Sequence, residues 1–461
     1  MDKTQAFDPN RTVIGGGDLY RTQAMSAAPG FDPNKTGVMN PAAAPGLVVS
    51  LLAGRSATMA NGPAREQFLI ELAAGMPESL PGLASAGPRT PLNLCLVIDR
   101  SGSMEGPPLE YVKQACNYVV DMLSPQDILS IVTFEEIVEV LMPPQRVTAK
   151  QPIKDGIARL TPGNTTNLYD GIALALAQVL SVQDSGRATR MVVLSDGDPT
   201  AGIKDFSALV QHAGDVRSKG VTATFLGFGP DYNEELLASM AKRAGGNYYY
   251  IPRPELIPEI FRSELDKVLN VAAQSVRMEF KLARWVNFKG APGHNVAPGA
   301  REFTLELADL ERGAALQQIL DLEFPNHPLG HYRVAAGRLT YTDPAAGATV
   351  TQDLDLVMEF TADSARYSAP VDPRVAAAFE VASVSKTVER TIMGLKTGQI
   401  TAMGAIDELQ KTQMILAKDG RTAEAQEVTL ALRALQSGDT AGAEKTLMGT
   451  KLSLDQGKIQ G

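Results

Sequence analysis

With 461 residues, 44% hydrophobic and 21% charged, the chain has an ordinary globular composition and enough length for two to four domains. A net charge of −9 argues against a general nucleic-acid binder, which needs clustered Lys and Arg against phosphate, and four His with two Cys leave little for zinc. No run approaches the ~20 apolar residues of a membrane helix, and Met1-Asp2-Lys3-Thr4-Gln5 opens no apolar signal core, so a cytoplasmic protein is expected.

Residues 1–44 are rich in Pro, Gly, Ala, Asn and Thr, lack helical or strand periodicity, and read as a disordered tail. The tail carries a repeat, Phe7-Asp8-Pro9-Asn10-Arg11-Thr12 and Phe31-Asp32-Pro33-Asn34-Lys35-Thr36. Asp-Pro-Asn forms turns, so the copies can be spacers. They also resemble tail motifs of bacterial Ser/Thr kinase substrates that forkhead-associated domains read. That likeness implies Thr12 and Thr36 as phosphoacceptors, since a phosphothreonine supplies charge and acceptor oxygens for an arginine pocket.

Two strand candidates follow, Leu47 to Leu52 and Phe68 to Leu72, too few to fold alone, then a Pro/Gly-rich connector from Gly75 to Pro91. Residues 93–269 alternate strand and helix, which predicts a mostly parallel, doubly wound sheet. Leu94-Cys95-Leu96-Val97-Ile98 is a continuous apolar run, as in a strand buried on both faces. It breaks into Asp99-Arg100-Ser101-Gly102-Ser103. Ligands of open α/β sheets sit beyond the carboxyl ends of strands. A carboxylate and two hydroxyls alternating there form a set of hard oxygens suited to Mg²⁺ or Mn²⁺. Thr166, before the helix that opens near Asp170, and Asp196, after the apolar run Met191 to Leu194, end the other relevant segments. Cys95 and Cys116 read as reduced core thiols.

Further helices are predicted from Pro107, over 153–160, 206–219 and 233–244, and from Pro254 to Leu269, with strands at 128–134, 137–141, 221–228 and 247–251. Tyr248 to Tyr250 read as a strand with alternating buried rings. From Ser275 to Phe360 the period becomes two, predicting antiparallel strands at 276–280, 303–307, 320–324, 338–341 and 354–358. With the strands before residue 75 they are expected to build a β-sandwich from residues 45–92 and 270–370, into which the α/β unit is inserted. His327 and His331 flank Pro328-Leu329-Gly330 and read as a surface turn. Residues 371–461 return to helical spacing and predict a small α-bundle with Met393, Met403 and Met414 filling its core.

The Asp-x-Ser-x-Ser loop, the downstream Thr-Asn and the strand-end Ser-Asp-Gly resemble the metal-ion-dependent adhesion site of a von Willebrand factor type A domain, over roughly residues 90–268. The resemblance implies that Asp99, Ser101, Ser103, Thr166 and Asp196 surround a divalent ion, Mg²⁺ or Mn²⁺. Thr165 is a weaker candidate, because Asn164-Thr165 replaces a more usual glycine. It also implies an open position filled by a Glu or Asp carboxylate of a protein partner, and a non-catalytic module in bacterial signalling or assembly. Bacterial proteins of this type resemble the inserted arrangement expected here. Two other readings remain. One is a phosphatase using Asp99 as nucleophile, which needs a second acid two residues on, where Ser101 stands. The other is a structural assembly protein without a metal.

Overall fold

The computed structural model describes residues 47–74, 90–184, 186–229 and 232–460. Thr12, Thr36, the boundary at residue 44 and most of the Gly75–Pro91 connector lie outside the described residues. The chain begins with β1 (Leu47–Ala53), β2 (Ala57–Met59) and β3 (Ala64–Ala74). The α/β unit follows with β4 (Leu92–Asp99), α1 (Pro107–Met122), β5 (Ile128–Phe134), β6 (Val138–Arg146), α2 (Lys150–Ala158), α3 (Leu168–Leu180), β7 (Ala188–Ser195), α4 (Phe206–Ser218), β8 (Thr222–Phe228), α5 (Glu234–Ala244), β9 (Gly245–Ile251) and α6 (Ile257–Leu269). Its sheet runs β6-β5-β4-β7-β8-β9 and is parallel except for the edge strand β6.

All eight residues of β4 are buried. Leu92, Leu94, Leu96 and Ile98 pack with residues of α1, α2 and α6, whereas Cys95 and Val97 pack with residues of α3, α4 and α5. Successive side chains point to opposite faces and both faces are covered, so no position of the strand is left to solvent. Cys95 and Cys116 belong to cores on opposite sides of the sheet and both are free thiols; burial pushes each up to about 12.

The next strands are β10 (Val271–Leu282), β11 (Asn287–Gly290), β12 (Glu302–Glu306), β13 (Leu310–Glu311), β14 (Ala314–Phe324), β15 (Gly330–Asp343) and β16 (Ala348–Thr361). One sheet runs β1-β3-β14-β11, the other β12-β10-β15-β16-β2, and their inward residues share one apolar core that includes Phe68, Ile70, Met278, Phe288, Leu322 and Leu356. The helical region comprises α7 (Ser364–Tyr367), α8 (Pro373–Lys396), α9 (Ala402–Lys418), α10 (Thr422–Gln436) and α11 (Thr440–Gln456). A last strand, β17 (Lys458–Gln460), returns to pair with β14. Among the described residues no helix is long and apolar enough to cross a membrane.

Several expectations change. Four short strands, β2, β11, β13 and β17, carry too few residues for a period to show. The stretch from Pro254 begins as a 3₁₀ turn, Pro254–Leu256, before α6 starts at Ile257. Met393, Met403 and Met414 are 55%, 70% and 67% exposed rather than core. The helical core is instead built from Val384, Val388, Ile392, Leu409, Leu416, Val428 and Leu447, and Met393 stands one step round the helix from buried Ile392. His327 is not on a surface turn; it is buried, with its ring centroid 3.9 Å from that of Trp285 and 4.8 Å from that of Phe360. His331 does face Glu359, at 3.2 Å. In β9 Tyr248 is buried and Tyr249 and Tyr250 are half-buried, Tyr248 bonding Tyr232 hydroxyl to hydroxyl at 2.7 Å and Tyr249 donating to Glu264 at 2.8 Å.

The α/β unit meets the antiparallel sheets through a buried ion pair. Arg190, early in β7, lies 2.6 Å from Asp309, and both side chains are under 8% exposed. Asp309 also accepts from Thr222 Oγ1 and the Ser275 N–H, each at 2.9 Å. Burial opposes the Asp309 charge, but Arg190, Arg217 and these donors hold its carboxyl below the usual range. Removing one partner of a buried pair strands the other charge, at roughly 3–5 kcal/mol. Asp309→Ala should therefore lower the unfolding free energy read by urea denaturation by that amount, and an Asp309→Leu/Arg190→Met double variant by clearly less.

Candidate metal centre

The loop after β4 is shaped by its own polar groups. The Ser101 N–H donates to Asp99 Oδ1 at 2.9 Å, turning the chain into a short 3₁₀ turn, Gly102–Met104, whose Met104 is anchored in the core. The turn returns Ser103 to the side of Ser101, with their hydroxyls 3.1 Å apart. Both meet the acid that follows the neighbouring strand β7: Ser101 Oγ donates to Asp196 Oδ1 at 3.2 Å, and Ser103 Oγ to the same oxygen at 2.8 Å.

The other oxygen of Asp99 accepts from Ser195 Oγ at 2.7 Å. Asp99 is fully buried, and burial pushes its carboxyl up to about 7; the hydroxyl of Ser195 opposes this shift, while the nearby Asp196 charge adds to it. Thr166 arrives from the loop before α3. Its N–H donates to Thr200 Oγ1 at 2.8 Å, and its carbonyl accepts from the Thr200 and Ala201 N–H groups at 3.0 and 3.2 Å. A Cβ placed on Gly197 would stand 3.8 Å from Thr166 Oγ1, so the threonine hydroxyl faces the backbone just beyond Asp196. Ser101, Thr166 and Asp196 are buried and Ser103 is exposed, which leaves the group open on the serine side.

The structure thus brings Asp99, Ser101, Ser103 and Asp196 into one hydrogen-bonded group and sets Thr166 beside it. Thr165 stands apart, with its hydroxyl buried and without a hydrogen-bond partner among the described residues. Sequence reasoning missed Ser195 and a second layer around Glu135, at the end of β5. The Glu135 carbonyl accepts from the Asn167 N–H at 3.1 Å and its carboxylate from the Asn164 N–H at 3.2 Å. Arg100 approaches the same carboxylate at 3.5 Å, and its carbonyl accepts from the Gly163 N–H at 2.5 Å. Glu135 thereby ties the threonine loop to the serine loop; hydrogen bonds from backbone N–H groups, Glu136 first, keep its carboxyl below the ordinary range. Its position at the carboxyl end of a buried strand was the signal that could have found it.

Two carboxylates and three hydroxyls at one sheet edge suit a hard divalent cation, and the mutual repulsion of Asp99 and Asp196 is what such an ion would relieve. Among the described residues no three His, Cys, Asp or Glu side chains form a ligand cluster, so any ion here depends on the hydroxyls.

This is an open α/β sheet whose polar site sits at the carboxyl ends of its central strands, and residues 93–263 match the family model of the von Willebrand factor type A domain. The chain thus carries a von Willebrand factor type A domain over these residues. It is 29% identical over 276 residues to protein sll0103 of Synechocystis, covering 57% of this chain and 64% of that protein. It is 30% identical over 198 residues to YfbK of Escherichia coli, covering 42% and 34%. The chain therefore spans less than two thirds of either relative. Among solved structures, a von Willebrand factor type A protein from Catenulispora acidiphila aligns over 86% of this chain and 91% of that one, with TM-score 0.66 and 15% identity. The ArnB paralog VWA2 from Sulfolobus acidocaldarius aligns over 90% and 100%, with TM-score 0.62 and 16% identity. The likeness in fold extends well beyond residues 93–263.

Gly202 tests the geometry of the threonine loop. It has φ +66, and an added Cβ would overlap the Asn167 side chain that caps α3. Gly438, between α10 and α11, has φ +84 with open space around it. Gly438→Ala should cost only the left-handed strain, about 1 kcal/mol, and Gly202→Ala roughly two to three times as much, as read by urea denaturation.

Proposed function

We propose that the carboxyl edge of the α/β sheet is a divalent-metal-dependent protein-binding site of the adhesion type. The observation that carries this is the convergence of the Ser101 and Ser103 hydroxyls on Asp196 Oδ1 beside the buried Asp99. Asp99, Ser101, Ser103, Thr166 and Asp196 would hold Mg²⁺ or Mn²⁺, directly or through water. A divalent ion there supplies a positive centre for a Glu or Asp carboxylate of a partner. The exposed side at Ser103 is where that carboxylate would arrive. Carboxylate–metal contact in a partly dry cleft is selective yet reversible, and the rest of the chain would add specificity. The two antiparallel sheets fit a single sandwich with the α/β unit inserted in it.

The site is proposed as non-catalytic. Both Asp99 oxygens are engaged, by the Ser101 N–H and the Ser195 hydroxyl, and the side chain is fully buried, which disfavours a phosphatase nucleophile. A cytoplasmic role in bacterial signalling or complex assembly belongs to the same proposal. Asp99→Ala should abolish calorimetric binding of Mg²⁺ and Mn²⁺ while leaving the thermal midpoint equal or raised, because one of two repelling acids is gone. Unchanged metal affinity would refute the ligand assignment.

The tail threonines are the proposed point of regulation. Phosphorylation of Thr12 and Thr36 by a Ser/Thr kinase would add about −1.5 to −2 charges each and create a handle for a forkhead-associated domain. Mass spectrometry covering both peptides should find them modified in the native protein. A Thr12→Ala/Thr36→Ala variant should lose capture of that domain and keep metal affinity.

A further inference from the structure

The rim of the metal edge has a composition of its own. Ile137 is 63% exposed, Ile203 45% and Phe206 40%. Ile137 lies two residues beyond Glu135, whose carbonyl holds the Asn167 N–H. Ile203 follows Gly202, which packs on the Asn167 side chain, and Ala201, whose N–H holds the Thr166 carbonyl. Apolar side chains therefore stand on both sides of the threonine loop. The exposed charges of the same loops are mainly acidic, Glu105, Glu136, Asp198 and Asp205 against Lys204. An occupant should present a carboxylate to the metal, an apolar group beside it and a cation to the rim.

This chain contains that combination twice: in Phe7-Asp8-Pro9-Asn10-Arg11-Thr12 and Phe31-Asp32-Pro33-Asn34-Lys35-Thr36 a phenylalanine precedes the aspartate and a basic residue follows it by three. We propose that the chain's own N-terminal repeats occupy the metal edge in cis, with the Asp8 or Asp32 carboxylate at the metal, the phenylalanine against Ile137 and Ile203, and Arg11 or Lys35 toward the acidic rim. The inference rests on the metal-site reading and names the ligand of that site.

The reach is sufficient. Leu47 pairs with Ala74, whose carbonyl accepts from the Gly313 N–H, and the nearby Asp309 contacts Arg190 and Thr222 at the starts of β7 and β8. Leu47 is thus at the amino edge of the parallel sheet, and the metal edge lies a strand length away, roughly 26 Å for eight residues. The 15 residues from Asp32 to Leu47 can span about 50 Å at most, and the 39 from Asp8 about 130 Å. Tethering raises the effective concentration of such a ligand toward the millimolar range, so weak contacts suffice to fill the site. Phosphate on Thr12 or Thr36 would place negative charge against the acidic rim and release the segment, turning the same modification into a switch that frees the site for another partner.

The test uses the full chain and an Asp8→Asn/Asp32→Asn variant. A fluorescent peptide of residues 28–40 is followed by anisotropy in Mn²⁺ and in chelator, with Mn²⁺ affinity measured by calorimetry and mass by light scattering. The peptide should bind the variant only in Mn²⁺ and bind the unaltered chain at least tenfold more weakly, because the tethered copies compete. An Asp32→Asn peptide should not bind, and a Thr36-phosphorylated one should bind about tenfold more weakly. Both chains should stay monomeric. Mn²⁺ binding without peptide binding overturns this inference and leaves the metal site standing. Absence of Mn²⁺ binding by the unaltered chain overturns both. Metal-dependent oligomers of the unaltered chain that the variant does not form overturn the arrangement in cis, because the repeats then serve a neighbouring copy.

Discussion

Two carboxylates ending adjacent parallel strands is the constraint around which this molecule is arranged. Asp99 and Asp196 lie at one sheet edge, one fully buried and the other nearly so, and their charges oppose each other. The edge tolerates them because local donors are turned toward them: the Ser101 N–H and Ser195 hydroxyl onto Asp99, the Ser101 and Ser103 hydroxyls onto Asp196. Hydrogen bonds to charged groups are among the stronger ones in proteins, and leaving such a group unpaired in a low-dielectric site costs more than the bond contributes. Pre-organised donors and incomplete charge compensation are the physical state in which a hard cation is welcome.

The rest of the chain holds that edge rigid and frames it. Glu135 and Arg100 lock the threonine loop to the serine loop, so the oxygens from separate segments move together. At the opposite edge, Arg190 and Asp309 anchor the antiparallel sheets. The helical region binds a third place: Lys445 donates to the Tyr232 carbonyl and to Glu234, and Lys396 reaches the same carboxylate, which these two cations hold down at about 2. Glu234 opens α5, after the loop that follows β8, the strand next to β7. The helical region therefore touches the same edge of the sheet that carries the candidate site, two strand ends away.

Some of this was legible in the residues. A continuous apolar run that stops at an acid marks a doubly covered strand and its carboxyl end, and the runs ending at Asp99 and Asp196 are the strands β4 and β7. Helices α4 and α5, capped by Asp205 and Asn233, begin within a residue of where the pattern placed them, whereas α3, capped by Asn167, begins two residues before Asp170. Short strands were invisible because two to four residues carry no period. The methionines of the helical region were misplaced because an apolar side chain at helical spacing does not reveal which of two adjacent positions faces a neighbour. His327 was misread because its partners, Trp285 from the turn between β10 and β11 and Phe360 from β16, are far from it in the chain.

The sequence by itself determined what local chemistry can determine: the alternation of elements, the strand ends, and the presence of hard oxygen donors in three segments. Those depend on periodicity and on the preferences of each residue for its own backbone. Only the tertiary structure decided which donors meet. That Ser195 serves Asp99 as well as the Gly197 carbonyl of its own loop, that Glu135 holds the Asn164 and Asn167 N–H groups, and that Arg190 pairs with Asp309 across 119 residues all depend on strand order in space. Strand order is set by the burial of whole faces against one another, a sum over many distant contacts that no short stretch of chain encodes.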